Sequence, residues 1–237
     1  MPKVSTILKT KAKSVSKHWV ESALDGVLLE DNKRVYKKRT YFRPSSAHWC
    51  QRCLWYQMMG YPQPQEEPLG LRRMGIGTAY HDFIQERLAR TNLIQEEKDI
   101  ELEVFNDDPP MRGFVDGILT HPDTGEKYVM ELKSRNEGTR YAQKTILPSS
   151  AHLIQWNLYS HMSGIEKGII FYVNKGNNQY QLYEVEQNES IIENVFDKFK
   201  LVWDAIQNNE RVPFIECTER FDPYREISER DWYIKGE

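Results

Sequence analysis

Two residues apart in the segment EKYVMELKS (126–134), Glu131 and Lys133 combine a carboxylate and an ammonium inside an otherwise apolar, β-prone run. On a strand, alternate side chains share a face, so Val129, Glu131 and Lys133 point one way and Tyr128, Met130 and Leu132 the other. A second Glu-x-Lys pair, Glu96 and Lys98, lies in the polar run QEEKD with no strand pattern around it and reads as solvated surface. A third group belongs with the first two. Asp116, between Gly113 and Gly117, interrupts the β-rich run RGFVDGILT (112–120), where an unpaired carboxylate is costly to bury. A hairpin turning at Thr124-Gly125 brings Asp116 close to Glu131. Two carboxylates so placed repel unless a proton or a cation lies between them. Oxygen ligands suit Mg²⁺ or Mn²⁺, which polarise phosphoryl groups and supply a hydroxide nucleophile. Lys133 would then neutralise developing negative charge. The rival reading of the same residues is a structural ion pair.

These side chains need elements to hold them. Ser45 and Ser46 offer an N-cap to a helix through Trp49, Leu54, Trp55 and Met58, stopped by Gly60 and the Pro-rich YPQPQEEPLG. A helix over 75–90 places Ile76, Tyr80, Phe83, Ile84 and Leu88 on one face. IELEVF (100–105), RGFVDGILT (112–120) and EKYVMELKS (126–134) read as three strands. Ser149 and Ser150 then start a helix over 151–163 that ends at Gly164; GIIFYV (168–173) and QYQLYEV (179–185) form two further strands, and a helix spans 190–207. This order predicts an α/β, or layered α+β, core with a mixed central sheet flanked by helices.

The chain has 237 residues, room for one substantial core with appendages. Residues 1–43 hold eleven Lys or Arg against four acids, a balance of +7, while the remainder carries −10. A basic arm on an acidic body attracts phosphate at one place and holds cations at another; it reads equally as a solubilising arm. We expect a basic N-terminal arm (1–44), a core (45–212) and a C-terminal tail (213–237) packing near the Cys50/Cys53 segment. No apolar run approaches the roughly 18 residues of a membrane span, and no secretory signal is expected. With three cysteines and no disulfide framework, a cytoplasmic setting is expected.

The ordered set GIGTAYH (75–81), RGFVDG (112–117), ELK (131–133) and QWNLY (155–159) closely resembles the PD-(D/E)xK nuclease superfamily, most of all the branch of RecB- and AddB-type nuclease domains and Cas4-like exonucleases. The match runs over about residues 45–185. It implies a restriction-endonuclease-like core and metal-dependent DNA cleavage. On that resemblance Asp116 and Glu131 match the metal-binding acids, the main-chain carbonyl of Leu132 is a further ligand, and His81 is a metal ligand from the preceding helix. Lys133 matches the catalytic lysine. Gln155 and Tyr159 match a Gln-x-x-x-Tyr motif that contacts substrate or positions the site, four residues apart on one helix face. The usual proline before the first acid is Val115 here.

Cys50 and Cys53 stand where iron–sulfur members of the branch place their first ligand cysteine, but near the C-terminus only Cys217 is present instead of three. The options left are a three-cysteine iron–sulfur cluster with another ligand, a zinc site adding His48, or no metal; no cluster is favoured. Trp49, Trp55 and Tyr56 read as core residues in preference to base-stacking ones. The expected function is a Mg²⁺- or Mn²⁺-dependent deoxyribonuclease, an exonuclease processing DNA ends or single strands in recombination, repair or viral genome metabolism. A bacterial or phage-infected cell and a recombination or replication protein as partner follow from the resemblance alone. The alternatives are a Cas4-like nuclease of CRISPR adaptation and a non-catalytic DNA-binding subunit that keeps the fold.

Overall fold

A computed structural model describes residues 18–136, 147–213 and 223–225. Its described residues group into two compact units, 18–34 with 66–74, and 35–65 with the rest from Gly75 onward.

The smaller unit contains α1 (Trp19–Asp31), whose N-cap His18 accepts the Val20 N–H through Nδ1. Arg72 holds this helix: its guanidinium donates to both Asp25 oxygens (2.6 and 2.7 Å) and to Glu21 (3.0 Å). The helix buries no residue, so these charge-assisted bonds are its main ties within the unit. The segment lies within residues 1–44, which the sequence reads as a basic arm with one short helix.

In the larger unit, α2 (Gln51–Met58) is followed by the part of α3 (Pro68–Leu88) from Gly75 onward, β1 (Leu102–Asn106), β2 (Met111–Val115), β3 (Gly117–Thr120) and β4 (Lys127–Arg135). Then come α4 (Ser150–Ser163), β5 (Lys167–Asn174), β6 (Tyr180–Glu186) and α5 (Glu189–Gln207). Strands β1 and β2 pair antiparallel as a two-stranded sheet. The second sheet has the order β3-β4-β5-β6, with β4 and β5 parallel and the outer pairs antiparallel. A parallel pair needs a crossover, and α4 supplies it. The mixed α/β architecture expected from the element order is the one observed.

The period-two alternation of β4 and β5 sorts their side chains between two helical layers. Val129, Ile170 and Tyr172 join Trp156 and Tyr159 of α4, whereas Met130, Leu132, Phe171 and Val173 join Ile84 of α3. The α4 contact is close. Trp156 Nε1 donates to the Val129 carbonyl at 3.1 Å, and a Cβ on Gly168 would lie 2.3 Å from both that oxygen and the indole nitrogen. Ser149 caps α4, and Gly164 ends it at φ 69°, a left-handed conformation that glycine adopts without strain. A third cluster packs Phe42 and Leu54, Trp55, Tyr56 and Met58 of α2 against Phe199 and Val202 of α5. Trp55 and Tyr56 are core residues, as expected.

Three boundaries differ from the sequence reading. The cap of α2 is Cys50, whose Sγ accepts the Cys53 N–H; Ser46 belongs instead to a 3-10 turn (Pro44–Ser46), and its hydroxyl bonds the Arg43 carbonyl and Gln57. The second helix begins at Pro68, where proline is tolerated because first-turn N–H groups have no partner, and it stops at Leu88. Of its supposed apolar face only Ile84 is buried, while Ile76 and Phe83 are about half exposed. The run 112–120 is broken at Asp116, which leaves the ladder so that its carboxylate can accept a backbone N–H from β4.

Candidate active site

Asp116 stands at the seam between the two sheets. Its Oδ2 accepts the Leu132 N–H at 2.8 Å, and its Oδ1 lies 3.2 Å from His81 Nδ1 on α3. Four residues after His81, hence on the same helix face, Gln85 donates to the Asp116 carbonyl (2.9 Å) and to the Ile100 carbonyl (3.2 Å). Gln85 fixes the backbone on which Asp116 turns. It was missed in the sequence, although its spacing from His81 was visible. Gly117 allows the turn to press on β4: a Cβ there would meet Met130 Cε at 3.0 Å.

Glu131 is fully buried on the α4 side of β4. The Lys133 ammonium lies against its Oε1 as an ion pair, while Oε2 is buried with no hydrogen-bond partner among the described residues. Burial, with the nearby Asp116 charge adding to it, pushes the Glu131 carboxyl up to about 7 against the opposing pull of Lys133. Burial works to lower the Lys133 ammonium, but its attraction to Glu131 wins and the group is raised. For His81, burial again opposes the charge, and the hydrogen bond to Asp116 together with the carboxylate charges outweighs it, so the imidazole is raised as well. Asp116, Glu131, Lys133 and His81 therefore act on one another electrostatically, through two direct pairs.

The Leu132 carbonyl can be placed from strand geometry. In an extended strand the N–H and C=O of one residue leave on the same edge. The Leu132 N–H is taken by Asp116, so its carbonyl lies on that edge too, beyond the end of β3 at Gly117. Among the described residues, no three His, Cys, Asp or Glu side chains form a ready-made metal cluster. The fit of a cation rests on chemistry: two carboxylates, one with a buried unpartnered oxygen, and a carbonyl edge are oxygen donors that suit a hard ion, with the His81 imidazole beside Asp116 as a nitrogen donor.

Gln155 and Tyr159 are both buried on α4, and Gln155 Nε2 donates to the Tyr159 hydroxyl at 3.4 Å. Burial and the Glu131 charge raise the Tyr159 phenol, which stays protonated. One turn before Gln155, His152 Nδ1 lies 2.7 Å from the Tyr172 hydroxyl, and Tyr172 is the β5 partner of Lys133 in register. Burial, with Lys133 adding to it, pushes the His152 imidazole down to about 4, which leaves it neutral. The shared face of residues 152, 155 and 159 was legible in the sequence, but only its last two members had been singled out. Cys53 lies in the core, Cys50 caps α2, and Cys217 lies outside the described residues.

No family model and no curated protein matches the chain. Among solved structures it is similar to the crystal structure of SSO0001, with a TM-score of 0.52 and 16% identity over 89% of this chain and 96% of that one. More remote are an alkaline exonuclease, LHK-Exo, from Laribacter hongkongensis (TM-score 0.44, 11% identity, 90% and 99% covered) and LHK-Exo in complex with dAMP (TM-score 0.42, 10% identity, 90% and 99% covered). The first likeness shows a shared fold and says nothing of activity; the other two fall below the level at which a fold is shown.

Proposed function

We propose that this chain is a divalent-metal-dependent nuclease that hydrolyses phosphodiester bonds in DNA, an exonuclease acting at ends. The observation that carries this reading is the buried Glu131 carboxylate, held beside Lys133 and within the field of Asp116 and His81, with one oxygen unpartnered. A purely structural ion pair has no need of a second carboxylate nearby, which raises its cost. Asp116, Glu131, His81 and the Leu132 carbonyl would hold the ion. Bound there, Mg²⁺ or Mn²⁺ supplies Lewis acidity toward a phosphoryl oxygen.

The chain's own residues do the rest. Asp116 is oriented by the Leu132 N–H and by His81, and Gln85 fixes its backbone, so its carboxylate geometry is set before substrate arrives. Lys133, anchored by Glu131, holds an ammonium where negative charge develops on the attacked phosphate. Tyr159 and Gln155 form the inner wall and exclude water from Glu131. The ordered motifs of the sequence support the same assignment.

The test is cleavage of end-labelled linear DNA with Mg²⁺, Mn²⁺ or EDTA. Activity is expected with either metal and none with chelator. Lys133→Ala and Glu131→Gln should each lower kcat by roughly 10²-fold or more. Undiminished cleavage by both variants would remove these residues from the reaction. DNA binding without turnover, indifferent to metal, would make the chain a binding subunit instead.

A further inference from the structure

Strand β2 carries Arg112 and Phe114 at alternate positions on one face, and Asp116, the acid of the candidate site, follows directly after its last residue, Val115. Beside this face is a cleft of about 290 Å³ lined by Tyr41, Arg43, Ser45, Arg112, Phe114 and, at its inner end, Tyr159. That volume is at the lower end of ligand pockets, roughly 300–1,000 Å³, and suits a single nucleotide-sized group, not a duplex. The Phe114 ring is 48% exposed, and Phe105, across the β1–β2 pair from Arg112, is 56% exposed. Arg112 stands between rings, with its guanidinium carbon 5.7 Å from the Tyr41 centroid and 5.6 Å from that of Phe105, and its ion pair to Glu103 holds it there. Arg43 is exposed, and its guanidinium has no ion-pair partner among the described residues. The cleft floor is built close. A Cβ on Gly113 would lie 2.6 Å from the Tyr159 ring and 3.1 Å from Pro44, so the strand backbone itself forms the base between these two rings.

We propose that this cleft takes one unpaired nucleotide of the substrate strand, its base stacked on Phe114 and Tyr41 and its backbone phosphate against Arg43. Half-exposed aromatic faces interleaved with guanidinium groups are the chemistry that holds single-stranded nucleic acid, because every base has a π-face and every linkage a charge. The cleft adjoins the candidate active site across Tyr159, a buried side chain that lines the cleft and whose phenol is raised by burial and by the Glu131 and Asp116 charges. This inference rests on the nuclease reading for its choice of polymer.

The test is binding of a single-stranded deoxyoligonucleotide carrying a terminal fluorescent adenine analogue, whose emission falls on stacking, with EDTA present to prevent cleavage. The wild-type protein should bind the single strand more tightly than blunt duplex and quench the analogue. Phe114→Leu should weaken single-strand binding roughly tenfold and relieve the quenching. Arg43→Gln, at an exposed position that cannot compromise the core, should weaken binding and flatten its salt dependence. Circular dichroism checks that both variants are folded. Unchanged affinity and quenching in both, or duplex bound as tightly as single strand, would overturn the cleft assignment even if Mg²⁺-dependent cleavage is found. Quenching lost in Phe114→Leu while the wild-type protein cuts nothing would uphold the cleft and defeat the nuclease reading alone.

Discussion

Glu131 is the side chain on which most of the chemistry converges, and its protonation makes a measurable statement about the folded state. Its carboxyl is raised from 4.5 to about 7, chiefly by burial. The folded protein thus binds this proton more tightly than the unfolded chain, and stability falls as pH rises between those values. In EDTA, the thermal midpoint should decline from pH 5 to pH 8, and Glu131→Gln should remove much of that decline. The effect is on the order of 2 kcal/mol, discounted for the coupling to Lys133. A wild-type midpoint that climbs over this range would show that Glu131 is ionised in the fold at acid pH. A bound divalent cation reverses the preference, since ligation needs the carboxylate, so added Mg²⁺ should stabilise more at pH 8 than at pH 5.

At the scale of elements, α4 and the strands beneath it hold the site together. Gly168→Ala sets a methyl 2.3 Å from the Val129 carbonyl and from Trp156 Nε1, atoms of β4 and α4 that are already bonded to each other. Neither can yield without opening that contact, so a loss of at least about 2 kcal/mol is expected, read from the urea midpoint. Gln85→Ala should leave stability nearly unchanged, because its amide is only partly buried, yet lower kcat by freeing the Asp116 backbone. An equal fall in stability and activity would make Gln85 structural only. Much at this scale was legible in the sequence: α4 with its Ser149 cap and Gly164 stop, the two strands after it, and the separation of Glu131 from Leu132 by simple alternation. Helix α3 was less so, because Gly70 and the proline run before it resemble loop punctuation while the fold uses Pro68 as a first-turn residue. Asp116 interrupts the run 112–120 visibly in the sequence, but its division of that run between two strands of different sheets is not legible there. Its cause is a hydrogen bond to Leu132, sixteen residues away, and local propensity carries no trace of it.

The whole molecule combines a body of net negative charge with a basic N-terminal sequence. Among the described residues no helix is long and apolar enough to cross a membrane. If ends are the substrate, linear duplex or single-stranded DNA should be degraded at least about tenfold faster than covalently closed circles, a contrast visible on an agarose gel; equal rates would make the enzyme an endonuclease. Association should weaken steeply with added salt, since phosphate contacts release counterions. The alternation along β4 carries a last implication for how such a chain can change. Sliding that strand by a single position would hand Leu132 to the α4 layer and press Glu131 into the oil beneath α3. Because the greasy neighbours forbid the slide, Glu131 and Lys133 inherit their positions from apolar residues outside the candidate site, and drift among those neighbours is a hidden route to losing its geometry.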